Sequence, residues 1–278
     1  MFYLIKGTFH VIGYSPDGDS IRFRAQDELN WSKLAGPSVN LNARRHAQLR
    51  LEGIDTLETH FLSNLHQPLD LALKAVDFLL RVLDITDIEW NVLRTRIINA
   101  NDGTEGYIVS REVEKNRRPV AFVFAGNTNA EDGAEIFLDT DLVRQSLNYQ
   151  QLEAGLAYPT YYQGLFPDIR EAMSSAVTSA RQAGNEIWTE DKTNAGFDVT
   201  NLTSIMEEHV ILPKLFRRLA EYLEAGGSID GFKNFLENKR EGITIISTAH
   251  FTHFDNIVEV NGNTVRLTEL PENLVFEG

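Results

Sequence analysis

Apolar and polar positions along this chain alternate, recur at helical spacing or break off, and their order predicts most of its elements. Residues 2–14 alternate as a strand does and stop at Gly13 and the turn cluster Ser15-Pro16-Asp17-Gly18. Ile21-Arg22-Phe23-Arg24 alternates apolar with basic, the mark of a half-buried strand. An irregular stretch, 26–42, holds Trp31 and the breaker Ala35-Gly36-Pro37-Ser38. A strand returns from Ala43 to Ile54 and opens on Arg44-Arg45-His46. From Gln67 to Asp84, Leu69, Leu71, Leu73, Val76, Leu79, Leu80 and Leu83 recur at three and four, which predicts an amphipathic helix lying on a sheet.

Val92–Asn99 and Gly106–Glu112 read as strands on either side of the turn Asn101-Asp102-Gly103, and Val120–Phe124 as a continuous apolar strand. Helices are expected over Asp141–Leu156, ending at Gly155, and over Asp168–Ala183, with Asp168 as its N-cap. Polar residues from Thr189 to Thr200 suggest a linker. Beyond it come a helix opening at Ile211-Leu212-Pro213 and running to Leu223, a short helix Gly231–Asn238, and a hairpin. The hairpin signal is Val258-Glu259-Val260-Asn261-Gly262-Asn263-Thr264-Val265-Arg266-Leu267, where Asn-Gly supplies the positive φ angles of a tight turn. The economical assembly is α+β: a five-stranded OB-type barrel with helices after its third and fifth strands, in a domain 1–189. A small α+β appendage, 190–278, follows.

Composition narrows the function classes. At 42% hydrophobic and 24% charged residues the chain is an ordinary globular one, and no run of about 18 apolar residues offers a membrane span. The start has no basic leader or long apolar core, so a cytoplasmic protein is expected unless a leader was removed earlier. With no cysteine, disulfides, thiolate metal sites and cysteine nucleophiles are all excluded. A net charge of -14 is awkward for a polyanionic partner, which is normally met by a basic surface. Nucleic-acid chemistry here would need a local basic patch or metal ions to offset the acids.

The chemistry-bearing stretch is Leu49-Arg50-Leu51-Glu52-Gly53-Ile54-Asp55-Thr56-Leu57-Glu58. It begins as an alternating strand, passes a glycine and ends in a turn carrying two carboxylates, so one arginine and the two acids of that turn are held on a short, ordered run of backbone. Many strands end in acidic turns, and alone it would read as a solvated strand end. Asp17-Gly18-Asp19-Ser20-Ile21-Arg22-Phe23 lies upstream and Asn116-Arg117-Arg118-Pro119-Val120-Ala121-Phe122-Val123-Phe124 downstream. In this order the three stretches resemble the staphylococcal nuclease (thermonuclease) family. Leu147–Ala157, the Tyr161-Tyr162 pair and the helix ending at Ile187-Trp188 extend the resemblance over about 5–189, with an insertion near 26–42.

That resemblance implies a Ca²⁺-dependent phosphodiesterase acting on DNA, RNA or both and leaving a 3′-phosphate. Asp19, Asp55 and the Thr56 carbonyl fall on the family's calcium ligands, and hard oxygen donors suit that ion. Arg50 and Arg118 fall on its phosphate-clamping arginines; a guanidinium meets two phosphoryl oxygens at once, which lysine cannot. Glu58 falls on its general base, which takes a proton from the attacking water. Tyr161 and Tyr162 match tyrosines that stack on a base, with core packing as the competing role. Lys115, with Arg44 and Arg45, would form a basic patch or simply a solvated charged face. Leu57 stands where the family has proline, Ser20 where it has threonine, and Asn116-Arg117 where it has Tyr-Gly. Arginine disfavours the positive φ that glycine would supply, and Arg117 competes with Arg118 for the clamp; alignment on Val-Ala-Phe-Val-Phe favours Arg118.

His60 and His66 near the acidic turn, and His250, His253 and Asp255 in the appendage, read as surface or packing residues rather than metal sites. Two rival readings remain. In one, a catalytically idle barrel binds single-stranded nucleic acid or a protein partner. In the other, a scaffold forms a homo-oligomer through 190–278.

Overall fold

The computed structural model describes residues 1–62 and 64–278. Its strands in chain order begin with β1 (Phe2–His10), β2 (Arg22–Ala25), β3 (Ala47–Gln48), β4 (Arg50–Leu51) and β5 (Ile54–Thr56). Then come β6 (Glu89–Trp90), β7 (Ile97–Asn99), β8 (Thr104–Val113), β9 (Pro119–Ala125), β10 (Glu135–Ile136), β11 (Ala157–Pro159) and β12 (Tyr161–Tyr162). The last are β13 (Phe197–Asp198), β14 (Gly242–Ile245), β15 (His250–His253), β16 (Val258–Asn261), β17 (Thr264–Leu267) and β18 (Leu274–Phe276). The α-helices are α1 (Leu69–Val82), α2 (Thr140–Gln145), α3 (Leu147–Glu153), α4 (Pro167–Ala183), α5 (Pro213–Glu224) and α6 (Phe232–Lys239). They fold into two units, the first made of Met1–Glu52 and Ala75–Gln151, the second of Gly53–Lys74 and Leu152–Gly278.

The first unit is a seven-stranded sheet in the order β3-β2-β1-β8-β9-β4, with β10 on β1. Because β3 and β4 are separated in the chain only by Leu49, the two ends of that order are one run of backbone, and the sheet is nearly closed into a barrel. Its third strand, expected as unbroken from Ala43 to Ile54, splits because it leaves β2 and joins β9 within a few residues. Counted as runs, β1, β2, β3–β4, β8 and β9 are the expected five strands. Leu4, Ile5, Phe9, Phe23, Ile108, Val109, Ala121 and Val123 are all buried, with the Phe9 and Phe23 rings 5.1 Å apart. The strand expected from Val92 starts only at Ile97; Val92 and Leu93 are exposed in the turn before it. The helix expected over Asp141–Leu156 is broken at Ser146, whose extended backbone separates α2 from α3.

The second unit carries three small sheets: β11-β5, β12-β18-β14-β15 and β13-β17-β16. Gly53 precedes β5 with φ 76, and a Cβ there would stand 2.8 Å from Met173 Cε, so glycine is required both by conformation and by space. α4 begins with Pro167 after Phe166, which makes no side-chain cap; Asp168 lies in the first turn and is not the cap. It ends at Gly184 in the left-handed region. Thr189–Thr200 is not a linker: β13 pairs with β17, and Thr193, Phe197 and Val199 are buried. Nor do the compact units divide at 189. β12 runs parallel to β18, and α5 lies against β5, which ties the 190–278 segment to residues 53–56 and 161–162. The hairpin β16–β17 has the expected register, with Gly262 at φ 58 in its turn.

Candidate active site

The residues singled out by sequence fall in both units: Asp19, Arg50, Lys115 and Arg118 in the first, and Asp55, Thr56, Glu58, Tyr161 and Tyr162 in the second. In the first unit β4 organises them. Arg50 stands in register with Val120 of β9, and Glu52 N–H donates to Ala121 O at 2.9 Å. On the other side Leu51 N–H donates to Asp19 O, also at 2.9 Å, so Asp19 and Arg50 occupy neighbouring backbone. Arg118 directly precedes β9.

The turn before Arg118 takes the left-handed form that the missing glycine would have eased, with Arg117 at φ 65. That conformation separates the two arginines. Arg117 is committed to a loop, its Nε donating to Ser38 O at 2.9 Å and its Nη2 to Ser38 Oγ at 3.0 Å. Arg118 Nε donates to Glu114 Oε1 at 3.0 Å while 34% of its side chain stays exposed, enough to meet an incoming anion. Lys115 is exposed at the tip of the same hairpin. Below it, Glu52 is buried, and desolvation pushes its carboxyl up to about 7 against the pull of Arg111.

In the second unit, β5 pairs antiparallel with β11, placing Asp55 opposite Tyr158 and Thr56 opposite Ala157. Asp55 and Thr56 are buried, and Glu58 is half-buried in the turn that follows. Gln67, fully buried, holds that turn from both sides: its N–H donates to Glu58 O at 2.9 Å and its Oε1 accepts from Glu58 N–H at 3.2 Å. Its Nε2 donates to Ile211 O at 2.7 Å, just ahead of α5. From α5 comes the residue that sequence reading missed. Arg217 Nη1 and Nη2 donate to the two oxygens of Asp55 at 2.9 and 2.7 Å, and Nη1 also donates to Glu58 Oε1 at 2.5 Å. Burial would lower the guanidinium pKa, but the two carboxylates raise it well above its ordinary value, so Arg217 is permanently charged.

The donor chemistry of Asp19, Asp55 and the Thr56 carbonyl suits calcium, yet the arrangement does not. Both oxygens of Asp55 already accept hydrogen bonds from a cation, so a divalent ion there would meet a fixed positive charge on the same carboxylate. Among the described residues, no three His, Asp or Glu side chains are grouped to hold a metal ion.

No family model and no curated protein matches this chain.

The two tyrosines part company. Tyr161 is fully buried, its hydroxyl 2.9 Å from Ser174 Oγ, and packs as core. Tyr162 is half-buried beside Phe276, with Lys214 Nζ 5.7 Å above its ring. His60 Nδ1 bonds Thr59 Oγ1 and His66 Nδ1 bonds Gln67 O, both ordinary turn contacts. His250 is exposed on β15, and Asp255 is buried in the turn after it. A second titratable cluster, also missed, sits in the first unit: Asp102 Oδ2 bonds His10 Nδ1 at 2.9 Å, and His10 Nε2 lies 2.8 Å from Thr8 Oγ1. His46 stacks on His10 at 4.0 Å, and burial, reinforced by His10, lowers its pKa to about 4. Asp102 also accepts from the N–H groups of Val11 and Ile12, which marks this cluster as the clasp that ends β1. Among the described residues no helix is long and apolar enough to cross a membrane.

Proposed function

We propose that this protein is a phosphodiester hydrolase of the thermonuclease type, acting on DNA or RNA and built on an OB-type barrel. The observation that carries the reading is the β4–β9 pairing, which sets Arg50 in register with Val120, two residues beyond Arg118 with its 34% exposed side chain. Two arginines brought to one pair of strands offer an anion more than a solvated strand end requires. In this reading Arg50 and Arg118 meet the phosphoryl oxygens and stabilise the charge that grows on them in the pentacovalent transition state. Glu58 accepts the proton of the attacking water as the new oxygen–phosphorus bond forms. The phosphorus–O5′ bond breaks and the leaving oxygen takes up a proton, leaving a 3′-phosphate. Lys115 and Tyr162 would hold the flanking strand.

A second reading, the catalytically idle barrel, is favoured by one specific feature: Arg217 occupies the carboxylates that the chemistry would use. Hydrolysis of single-stranded DNA and RNA by wild type, Arg118→Ala and Glu58→Gln decides between them, run with calcium and with chelator to read the metal requirement directly. Wild-type cleavage that falls by about 10²–10³ in either folded variant supports hydrolysis and its assignment. A folded wild type that binds either polymer without cleaving it moves the protein to the idle barrel.

A further inference from the structure

We propose that Arg217 is the built-in cation of this site, standing where a divalent metal would stand and closing the Asp55–Glu58 pair to calcium. The inference rests on the phosphodiesterase reading for the purpose of the two carboxylates, but its test does not depend on activity.

The fit is that of an anchored charge. The bonds to Asp55 run side by side from Nη1 and Nη2 to its two oxygens, the fork geometry that only a guanidinium offers. Nη1 then spans to Glu58, so one group satisfies both acids. The helix that carries it cannot swing freely: Pro213 starts α5, and Leu215, Phe216, Leu219 and Ala220 are buried on either side of Arg217. Gln67 fastens the Glu58 turn to Ile211, immediately before that helix. Acceptor and donor are therefore positioned by the same buried amide.

The other cations of α5 are matched as well. Lys214 and Arg218 both pair with Glu241, whose carboxyl they hold down to about 2 although burial opposes them. Arg218 also pairs with Glu221. None of these acids competes for Arg217, and neither neighbouring cation can replace it at Asp55 without abandoning Glu241. A calcium ion entering at Asp55 would have to compete with two hydrogen bonds on that carboxylate and settle against a fixed positive charge.

The experiment is calorimetric titration of calcium into wild type, Asp55→Asn, Arg217→Gln and the double variant Arg217→Gln/Asp55→Asn, without nucleic acid. Wild type should show no saturable site up to about 1 mM, the weak end for calcium modules. Arg217→Gln should gain a site about tenfold or more tighter than that limit, and the double variant should lose it again. Wild-type calcium binding that Asp55→Asn abolishes overturns the proposal, as does a folded Arg217→Gln that gains no site. If Arg217→Gln does not fold, Arg217→Lys, which keeps the charge without the fork, should stay as closed to calcium as wild type, and a folded Lys variant that binds calcium through Asp55 overturns the proposal. Should wild type cleave nothing under any condition, the hydrolase reading fails, while the titration still decides what occupies the carboxylates.

Discussion

Replacing Arg217 with methionine keeps an unbranched side chain in α5 while taking the charge from between two acids. Three hydrogen bonds disappear, two to Asp55 and one to Glu58, and both carboxylates lose their shared counter-ion. The side chains of Asp55 and Glu58 are only 5% and 15% exposed, so water can recover little of the loss. Breaking a buried pair by removing one partner costs about 3–5 kcal/mol, and a value near the middle, about 4 kcal/mol, is expected at pH 7. Against a typical total of roughly 5–15 kcal/mol, the variant remains folded but clearly weakened. The sign of its pH dependence is diagnostic. Without the guanidinium the neighbouring carboxylates of Asp55 and Glu58 repel each other while both are ionised, and protonation in acid relieves that repulsion. The deficit against wild type should therefore shrink as pH falls from 7 towards 4. Urea unfolding across that range measures it, and a double-mutant cycle with Asp55→Asn should return a coupling of about 1–3 kcal/mol. A loss below about 1 kcal/mol at pH 7, the scale of a surface pair, or a deficit that does not narrow in acid would refute this account.

Glu52 titrates inside the barrel unit, and Glu52→Gln isolates it. Because its folded pKa is about 7 against an ordinary 4.5, its contribution is fully present below pH 4.5 and fades as pH rises through 7, by about 3 kcal/mol. The glutamine variant should lose that slope in unfolding experiments between pH 4.5 and 8; an unchanged slope would place the titration elsewhere. At Arg117 the usual order of substitutions should invert. Alanine keeps the strain of φ 65 and loses the bonds to Ser38, whereas glycine loses the same bonds but relieves the strain, so Arg117→Gly should be more stable than Arg117→Ala by about 1 kcal/mol. Denaturant midpoints that place alanine above glycine would contradict the left-handed turn.

Much of the barrel unit was legible because its signals are local. Alternation marked β1 and β2, the Asn101-Asp102-Gly103 turn marked β8, a continuous apolar run marked β9, the spacing of leucines marked α1, and Asn-Gly marked the β16–β17 turn. The errors share a cause, which is tertiary pairing overriding local pattern. Thr189–Thr200 is polar enough to pass for a linker, yet β17 recruits Phe197 and Asp198 as a strand. Helical periodicity runs unbroken from Asp141 to Leu156, and nothing in it shows that Ser146 turns extended, with its Oγ donating to Val143 O. The acidic turn at Glu58 was readable for the same reason as the strands, since arginine, glycine and two acids stand within a few residues of one another.

Arg217 was not readable, and the reason is distance along the chain. Its partner Asp55 lies 162 positions away, and the period of α5 shows which face is buried without showing what that face meets. One signal was there: Arg217-Arg218 sits between Leu215-Phe216 and Leu219-Ala220, so a charge falls within an apolar stripe, which a chain cannot leave unpaired when it is buried. The same pairing recasts the objection raised by the net charge of -14. What a phosphate would meet is not the sum over the chain but the cations left at the surface. Arg217, Arg218 and Lys214 are spoken for by Asp55, Glu58 and Glu241, whereas Arg118 and Lys115 on the β8–β9 hairpin keep solvent access. So few contacts neutralise few phosphates, and each accounts for a slope of only about -0.7 in the salt dependence of single-strand binding. An acidic protein of this kind would hold its substrate weakly and release its product readily, which suits turnover better than storage of a strand.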